Sequence, residues 1–335
     1  MISLLKSNNT SNYLVILLLI IILWAEFFFK IFYVSVHSLY TVFPKTIFDD
    51  KNYLYLLLSI IFYFSFSYFI IQRNINLGII ESSYQTIGIF FILFSALFTN
   101  EKIISLFTML PAMFLYFSVF RLFNAYKNDN AEKIIFDTGI LFAITLIFNI
   151  QYLLFIIPLI ISIIIIKQIS FKELLALFLS IISVLALFFS IYFFFDTNLL
   201  IEKYYSDFFD KLKEIFSINF SDAKKFQAKE VFNFMLIALL ILVILILNFR
   251  IRKVFNVFNG KVKNIMFIFL IFSVLIQIIP AIDKEMIVLT YCPLAFFSTK
   301  IFVKMKNKYS AIFLSSIILY VILIQILTIY IYNGF

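Results

Sequence analysis

The chain is a succession of long apolar runs parted by short polar segments. The first run, Tyr13 to Val36, carries Glu26 and Lys30 within it, and a polar segment ending Phe48-Asp49-Asp50-Lys51 follows. At about 1.5 Å per residue such a run crosses a hydrocarbon layer about 30 Å thick, and it is too long and too apolar for the core helix of a water-soluble domain. The pattern recurs and predicts about eleven transmembrane helices, over 13–36, 53–71, 81–98, 103–122, 134–149, 152–166, 171–195, 231–249, 264–280, 286–303 and 309–332. The expected fold class is all-α, a polytopic membrane helical bundle, with a single transmembrane domain over 1–335. Only Asn149-Ile150-Gln151 parts the fifth and sixth runs, which predicts a tight helical hairpin or one bent element. The third run opens on a polar turn, Glu81-Ser82-Ser83-Tyr84-Gln85-Thr86, expected at the membrane interface.

Charge sets the expected orientation. With the N-terminus inside, 16 basic residues fall in inward segments and 10 in outward ones. Six of those 10 lie in the long segment 196–230 beside seven acids, so the short loops read 16 against 4. Short loops carry the positive-inside signal, which predicts a cytoplasmic N-terminus and a periplasmic C-terminus in a bacterial inner membrane. Lys6 precedes the first run, which is too long for a signal-peptide core and lacks a small-residue cleavage site, so it is expected to stay as an anchor. The same loop placement accounts for the net charge of +9, so membrane lipids are the expected partners and nucleic acid is not. Composition agrees: 64% hydrophobic and 13% charged residues, against about 45–50% and 25% in water-soluble domains.

This orientation puts two sizeable segments outside, 37–52 and 196–230. In the second, Ile201, Tyr204, Tyr205, Phe208, Phe209, Leu212, Ile215 and Phe216 recur at helical spacing, with Glu202, Lys203, Asp207, Asp210, Lys213 and Glu214 on the other face. That is the pattern of an amphipathic helix lying at the outer membrane surface, either capping the bundle or lining a substrate groove.

Few residues offer chemistry. Glu26 and Lys30 are four apart on one helix face and pair there, as a structural pair drawn to the outer surface by Lys30 or as part of a substrate cavity. Asp49 and Asp50 are the acids of the first outer segment; adjacent carboxylates repel, and one of them would serve as a general base. The plainer role is that of a solvated helix cap for the next span. Asp137 follows Lys133 by four residues in a first helical turn, where it favours the helix dipole and anchors structure. Lys284, in Asp283-Lys284-Glu285, is a candidate for holding a phosphate, though a mixed-charge turn is the commoner use of such a trio. Lys224, Lys225 and Lys229 would attract anionic headgroups or form a solvated face.

Other classes lack support. His37 is the only histidine and Cys292 the only cysteine, which removes His-based zinc sites, Ser-His-Asp triads and intramolecular disulfides. No Walker A, G-x-G-x-x-G or H-E-x-x-H sequence occurs. With five glycines and five prolines, sites for the broken helices of transporters reduce mainly to Pro111, Pro158 and Pro293.

Lys133-Ile134-Ile135-Phe136-Asp137 with the apolar helices after it, and Ile287-Val288-Leu289-Thr290-Tyr291-Cys292-Pro293-Leu294-Ala295, resemble an uncharacterised multi-pass membrane-protein family of Bacteroidota, of flavobacterial type. The likeness covers nearly the whole chain and implies a location more than an activity. A weaker resemblance is to GT-C glycosyltransferases, in which an acid of the first outer loop is the base and the outer loop after the seventh span helps to bind a polyprenyl-phosphate-linked sugar. Asp49-Asp50 and 196–230 occupy those places in this chain, although its first outer segment is short and its aspartates fall near the second span. The resemblance implies sugar transfer at the outer face, with Asp50 or Asp49 as base and no soluble nucleotide; Lys284 or a lysine of 196–230 would then hold the lipid phosphate, and Glu26 and Lys30 would converge on the substrate cavity. A non-catalytic membrane subunit of a cell-envelope complex and a lipid or small-molecule transporter stay open beside it.

Overall fold

The computed structural model describes residues 5–6, 11–23, 52–80, 85–97, 106–128, 131–167, 170–195, 241–244, 246–247, 257–277 and 284–333. Among these residues every regular element is a helix. In chain order they are α1 (Ser11–Leu23), α2 (Asn52–Leu77), α3 (Thr86–Leu97), α4 (Leu106–Leu122), α5 (Ala131–Phe148), α6 (Ile156–Ile166), α7 (Phe171–Phe195), α8 (Val257–Ile276), α9 (Tyr291–Lys304) and α10 (Asn307–Asn333). Short 3-10 segments, Ile150–Phe155 and Lys284–Thr290, lead into α6 and α9.

The apolar runs and the helices coincide closely, and α7 has the limits expected. The number of crossings is a different matter. Three stretches are long and apolar enough to span a membrane: Phe171–Ser190, Val257–Ile276 and Met286–Lys304. Asn12–Leu23, Thr86–Ala96, Met109–Ala125, Ile150–Ile166 and Asn307–Leu323 are apolar but shorter. Of the eleven expected crossings, three are thus candidate spans among the described residues, which suggests association with a membrane. Within the bundle α3 is enclosed by protein. Its 12 residues reach only about 18 Å, yet Thr86 to Ala96 are buried throughout. A helix enclosed by protein need not match the thickness of the lipid.

The core is organised on α9. Its residues Tyr291 to Phe302 are all buried, and it packs against α3, α8 and α10. Phenylalanine fills much of the space between helices. Phe90 of α3 meets Phe302 of α9 edge-on at 5.7 Å, Phe66 of α2 meets Phe91 at 4.9 Å, and Phe69 lies 3.9 Å from Phe117 of α4. Such pairs contribute about 0.5–1.5 kcal/mol each beyond their burial. By contrast α7 turns Phe171, Leu179, Ile182 and Leu187 outward, as a lipid-facing helix does. Several buried hydroxyls are satisfied within their own helices: Thr138 donates to Ile134 O at 2.8 Å, Ser162 to Pro158 O at 2.6 Å and Thr299 to Ala295 O at 2.7 Å.

Pro158, Pro293 and Gly78 mark junctions, whereas Pro111 lies inside α4. Pro158 and Pro293 each sit third in an α-helix that continues a 3-10 segment, so neither occupies a helix interior. Pro293 has no N–H to offer Leu289 O four residues back, and that carbonyl accepts from the buried Tyr116 hydroxyl of α4 instead. After α2, Gly78 adopts φ +57°; Ile79 N donates to Asn74 O and Gly78 N to Ile75 O, a Schellman turn. Ser170 and Glu173 form a reciprocal capping box on α7, with Ser170 N to Glu173 Oε2 at 2.9 Å and Glu173 N to Ser170 Oγ at 3.4 Å.

Candidate functional site

Of the residues singled out from the sequence, Glu26, Lys30, Asp49 and Asp50 lie outside the described residues, as does the whole of 196–230. Lys284 opens the 3-10 segment before α9, in place of the tight loop expected at 283–285. The described chain next to these positions still has a clear location. It follows from where the charges gather.

Basic residues collect at one end of the bundle. Lys261 of α8 donates to Ile166 O, the last residue of α6, at 2.7 Å, and stands 5.1 Å from the Tyr126 ring. Lys167 pairs with Glu173 Oε1 at 3.2 Å and reaches Asn128 O at 3.4 Å. Lys6 donates to Met305 O, at the C-terminus of α9, at 2.6 Å and lies over Phe302; burial lowers its pKa below the ordinary lysine value. Arg73 of α2 lies 5.2 Å from the Phe69 ring, which packs on α4 a turn above Arg121. Several of these cations thus cap helix C-termini, where carbonyls carry partial negative charge.

Arg121 and Asp137 bind α4 to α5 at the same end. The guanidinium gives Asp137 Oδ2 two contacts, 2.6 Å from Nη2 and 3.2 Å from Nε. The expected neighbour Lys133 is exposed. The planar guanidinium from the facing helix wins because it offers two donors across a half-buried interface. The expectation that Asp137 anchors structure holds with a different partner, but α5 begins at Ala131, so Asp137 stands in its second turn and Glu132 is the acid of the first.

These contacts fix the ends of three elements. Arg73 and the Gly78 turn put the C-terminus of α2 at the basic end, so Asn52, at the start of its 26 residues, lies about 39 Å away. The capping box puts Phe171 at the basic end, and 25 residues carry α7 about 37 Å to Phe195. Lys304 is at the basic end, which leaves the backbone of Lys284 toward the other. Asn52 follows Asp49-Asp50-Lys51 in the chain, and Phe195 precedes 196–230. The three therefore share the end remote from the basic cluster.

Lys300 is the described residue that the sequence reading undervalued. Its place after an apolar run predicts an inward-loop cation, yet it is 4% exposed, and its Nζ stands 4.2 Å from the Phe296 centroid. A signal was present: Lys300 and Lys304 are one turn apart behind an apolar run, so one lysine extends toward the surface while the other stays in the packed wall. Buried amides at the same end keep unused hydrogen-bonding atoms: Asn74 Nδ2, Gln85 Oε1 and Asn259 Oδ1. Among the described residues no group of His, Cys, Asp and Glu is placed to hold a metal ion, and Cys292 is a buried free thiol. No protein-family model matches the chain, and neither a curated protein nor a solved structure matches it.

Proposed function

We propose that this protein is a GT-C-like glycosyltransferase of a bacterial inner membrane that moves a sugar from a polyprenyl phosphate to an acceptor on the outer face. One observation carries the reading: Asn52, Phe195 and Lys284, the described positions that adjoin or belong to the candidate site, share the end of the bundle away from the basic cluster. The positive-inside rule assigns the basic end to the cytoplasm, the N-terminus with it and the C-terminus to the periplasm. The remote end then faces the periplasm, where polyprenyl-linked sugars are presented in the enzymes that this chain resembles.

In this reading Asp50 or Asp49 takes the proton of the acceptor hydroxyl as the sugar's anomeric carbon leaves the donor phosphate. Lys284 holds that phosphate, and Glu26 with Lys30 lines the substrate cavity. The resemblance to the flavobacterial family supplies the expected source. The test is sugar transfer by the full chain in proteoliposomes charged with a polyprenyl-phosphate sugar. Asp50→Asn, with Asp49→Asn beside it, is expected to lower the rate about 10²–10⁴-fold without loss of folded protein. Unchanged biological function after loss of both carboxylates, with stable co-purification of one partner, would assign the chain to a non-catalytic subunit.

A further inference from the structure

Two lysines from different elements close on one ring at the basic end. Tyr126 stands half-buried in the turn after α4, and the Lys261 ammonium of α8 is 5.1 Å from its centroid. The Lys127 ammonium is 5.6 Å from the same centroid. The two charges therefore lie within about 11 Å of each other, near the screening length of about 10 Å in 0.1 M salt. Lys127 is exposed and holds φ +56°, a left-handed backbone that a residue with a Cβ seldom takes. The turn is closed by Tyr126 N to Phe123 O and Asn128 N to Ala125 O, both at 3.3 Å. Phe258 packs against the ring at 5.0 Å. Lys261 is moored by Ile166 O at 2.7 Å, which takes one of the three donors of an ammonium. The carboxylates beside them are committed elsewhere, Glu173 to Lys167 at 3.2 Å and Asp137 to Arg121 at 2.6 Å. Among the described residues neither Lys127 nor Lys261 has a carboxylate partner. Val257, one turn further out on α8 than Lys261, is 66% exposed, and Phe171 at the start of α7 is 79% exposed. Apolar side chains exposed at the level of lysines and a tyrosine mark the headgroup layer of a bilayer.

We propose that Lys127, Lys261 and Tyr126 form a surface site for the headgroup of an anionic phospholipid of the adjoining leaflet. The phosphate accepts from the two ammonium groups, both on flexible four-carbon stems, and offsets their mutual repulsion. The Tyr126 hydroxyl adds a donor for a further headgroup oxygen. Exposed Val257 and Phe171 favour a lipid over a soluble anion, because they hold this rim of the bundle at the membrane surface. The site does not rest on the transferase reading: it lies at the opposite end from Asn52 and Phe195, and either can fail alone.

The test uses the full chain, purified in detergent, and native mass spectrometry with phosphatidylglycerol or phosphatidylcholine added in equal amount. Wild type is expected to retain the anionic lipid in preference to the zwitterionic one. Each lysine is expected to account for about fivefold in retention, so Lys127→Gln lowers it about fivefold and Lys127→Gln with Lys261→Gln about 25-fold. Lys127→Gly removes the ammonium and eases the left-handed backbone together. Retention is then expected to fall about fivefold while the melting temperature holds or rises, which separates a lost ligand from a damaged fold. Lys308→Gln, at an exposed lysine of α10, leaves retention unchanged. Lys261 also caps α6, so thermal unfolding is followed for its variant, and the two Lys127 variants decide the matter if it does not fold. Inorganic phosphate is then added against a chloride control of equal ionic strength. The lipid is expected to stay, and its displacement by phosphate overturns the proposal in favour of a soluble anion. Equal retention of the two lipids by wild type, or equal retention of phosphatidylglycerol by wild type and both Lys127 variants, overturns the site. So does an equal loss in Lys127→Gln and Lys308→Gln.

Discussion

Gly139 offers the sharpest test of how the helices are packed. It lies where α5 crosses α7, and a methyl group added there would sit 1.8 Å from Ser180 Oγ, 2.8 Å from Leu177 O and 3.1 Å from Ser180 Cβ. Rotation of the hydroxyl relieves the first contact but breaks its 2.7 Å bond to Leu177 O. The second contact is with backbone, so α7 must retreat by about 0.6 Å to restore the 3.4 Å of an ordinary approach. Overpacking of this kind costs about 1–3 kcal/mol, and replacing glycine in a helix returns about 1 kcal/mol. Gly139→Ala is therefore expected to destabilise by up to about 2 kcal/mol, the upper part of that range because the Leu177 contact is with backbone, and to lower the melting temperature of the detergent-solubilised protein by a few degrees. Ser180→Ala should recover part of that loss in a double-mutant cycle, since it removes the closest of the three contacts but not the one with Leu177 O. An unchanged or raised melting temperature for Gly139→Ala would refute the close crossing of α5 and α7.

Three further outcomes follow from other positions. Gly260 has no atom within 4 Å of an added methyl, so Gly260→Ala should stabilise α8 by about 0.5–1 kcal/mol in the same melting assay. Tyr116→Phe removes the hydroxyl that takes the place of the absent Pro293 N–H, and the buried Leu289 carbonyl left behind should cost about 1–3 kcal/mol; a melting temperature equal to wild type would show that this carbonyl finds another donor. Cysteines introduced singly at the exposed Asn128 and Lys306 should react only with reagents on the cytoplasmic side, and at Asn52 and Asn219 only from outside, while native Cys292, wholly buried, stays silent in the folded protein. Labelling of Asn128 and Lys306 from opposite sides would break the assignment of one basic end.

The helices were legible because burial in a bilayer demands long apolar runs, and those runs carry their own limits. Asn149-Ile150-Gln151 predicts a hairpin or a bend, and Asn149 caps the 3-10 segment there, accepting from Gln151 N at 3.0 Å. What the runs did not reveal is how thick each element is against the membrane. An apolar helix reads alike whether lipid or protein surrounds it, and the enclosed α3 carries the same pattern as the outward-facing α7. The partner of Asp137 was hidden for a related reason: spacing along one helix names Lys133, whereas Arg121 comes from a facing helix through packing. Lys300 was obscured because a lysine at the end of an apolar run ordinarily extends to the surface. The opening acids Glu26, Asp49 and Asp50 rest on sequence and resemblance alone.

The enclosure of α9 has a bearing on how the molecule is made. A chain delivered to the membrane from its N-terminus releases α3 early and α9 nearly last, and these two are the elements most fully wrapped by the others. Until α9 arrives, α3 has no partner along its main contact face, and the Tyr116 hydroxyl has no Leu289 carbonyl to meet. Nascent chains stopped before Met286 would then hold an open groove in lipid, a state suited to capture by an insertion chaperone or a quality-control protease. Closure comes with the penultimate helix, and the early helices wait for it.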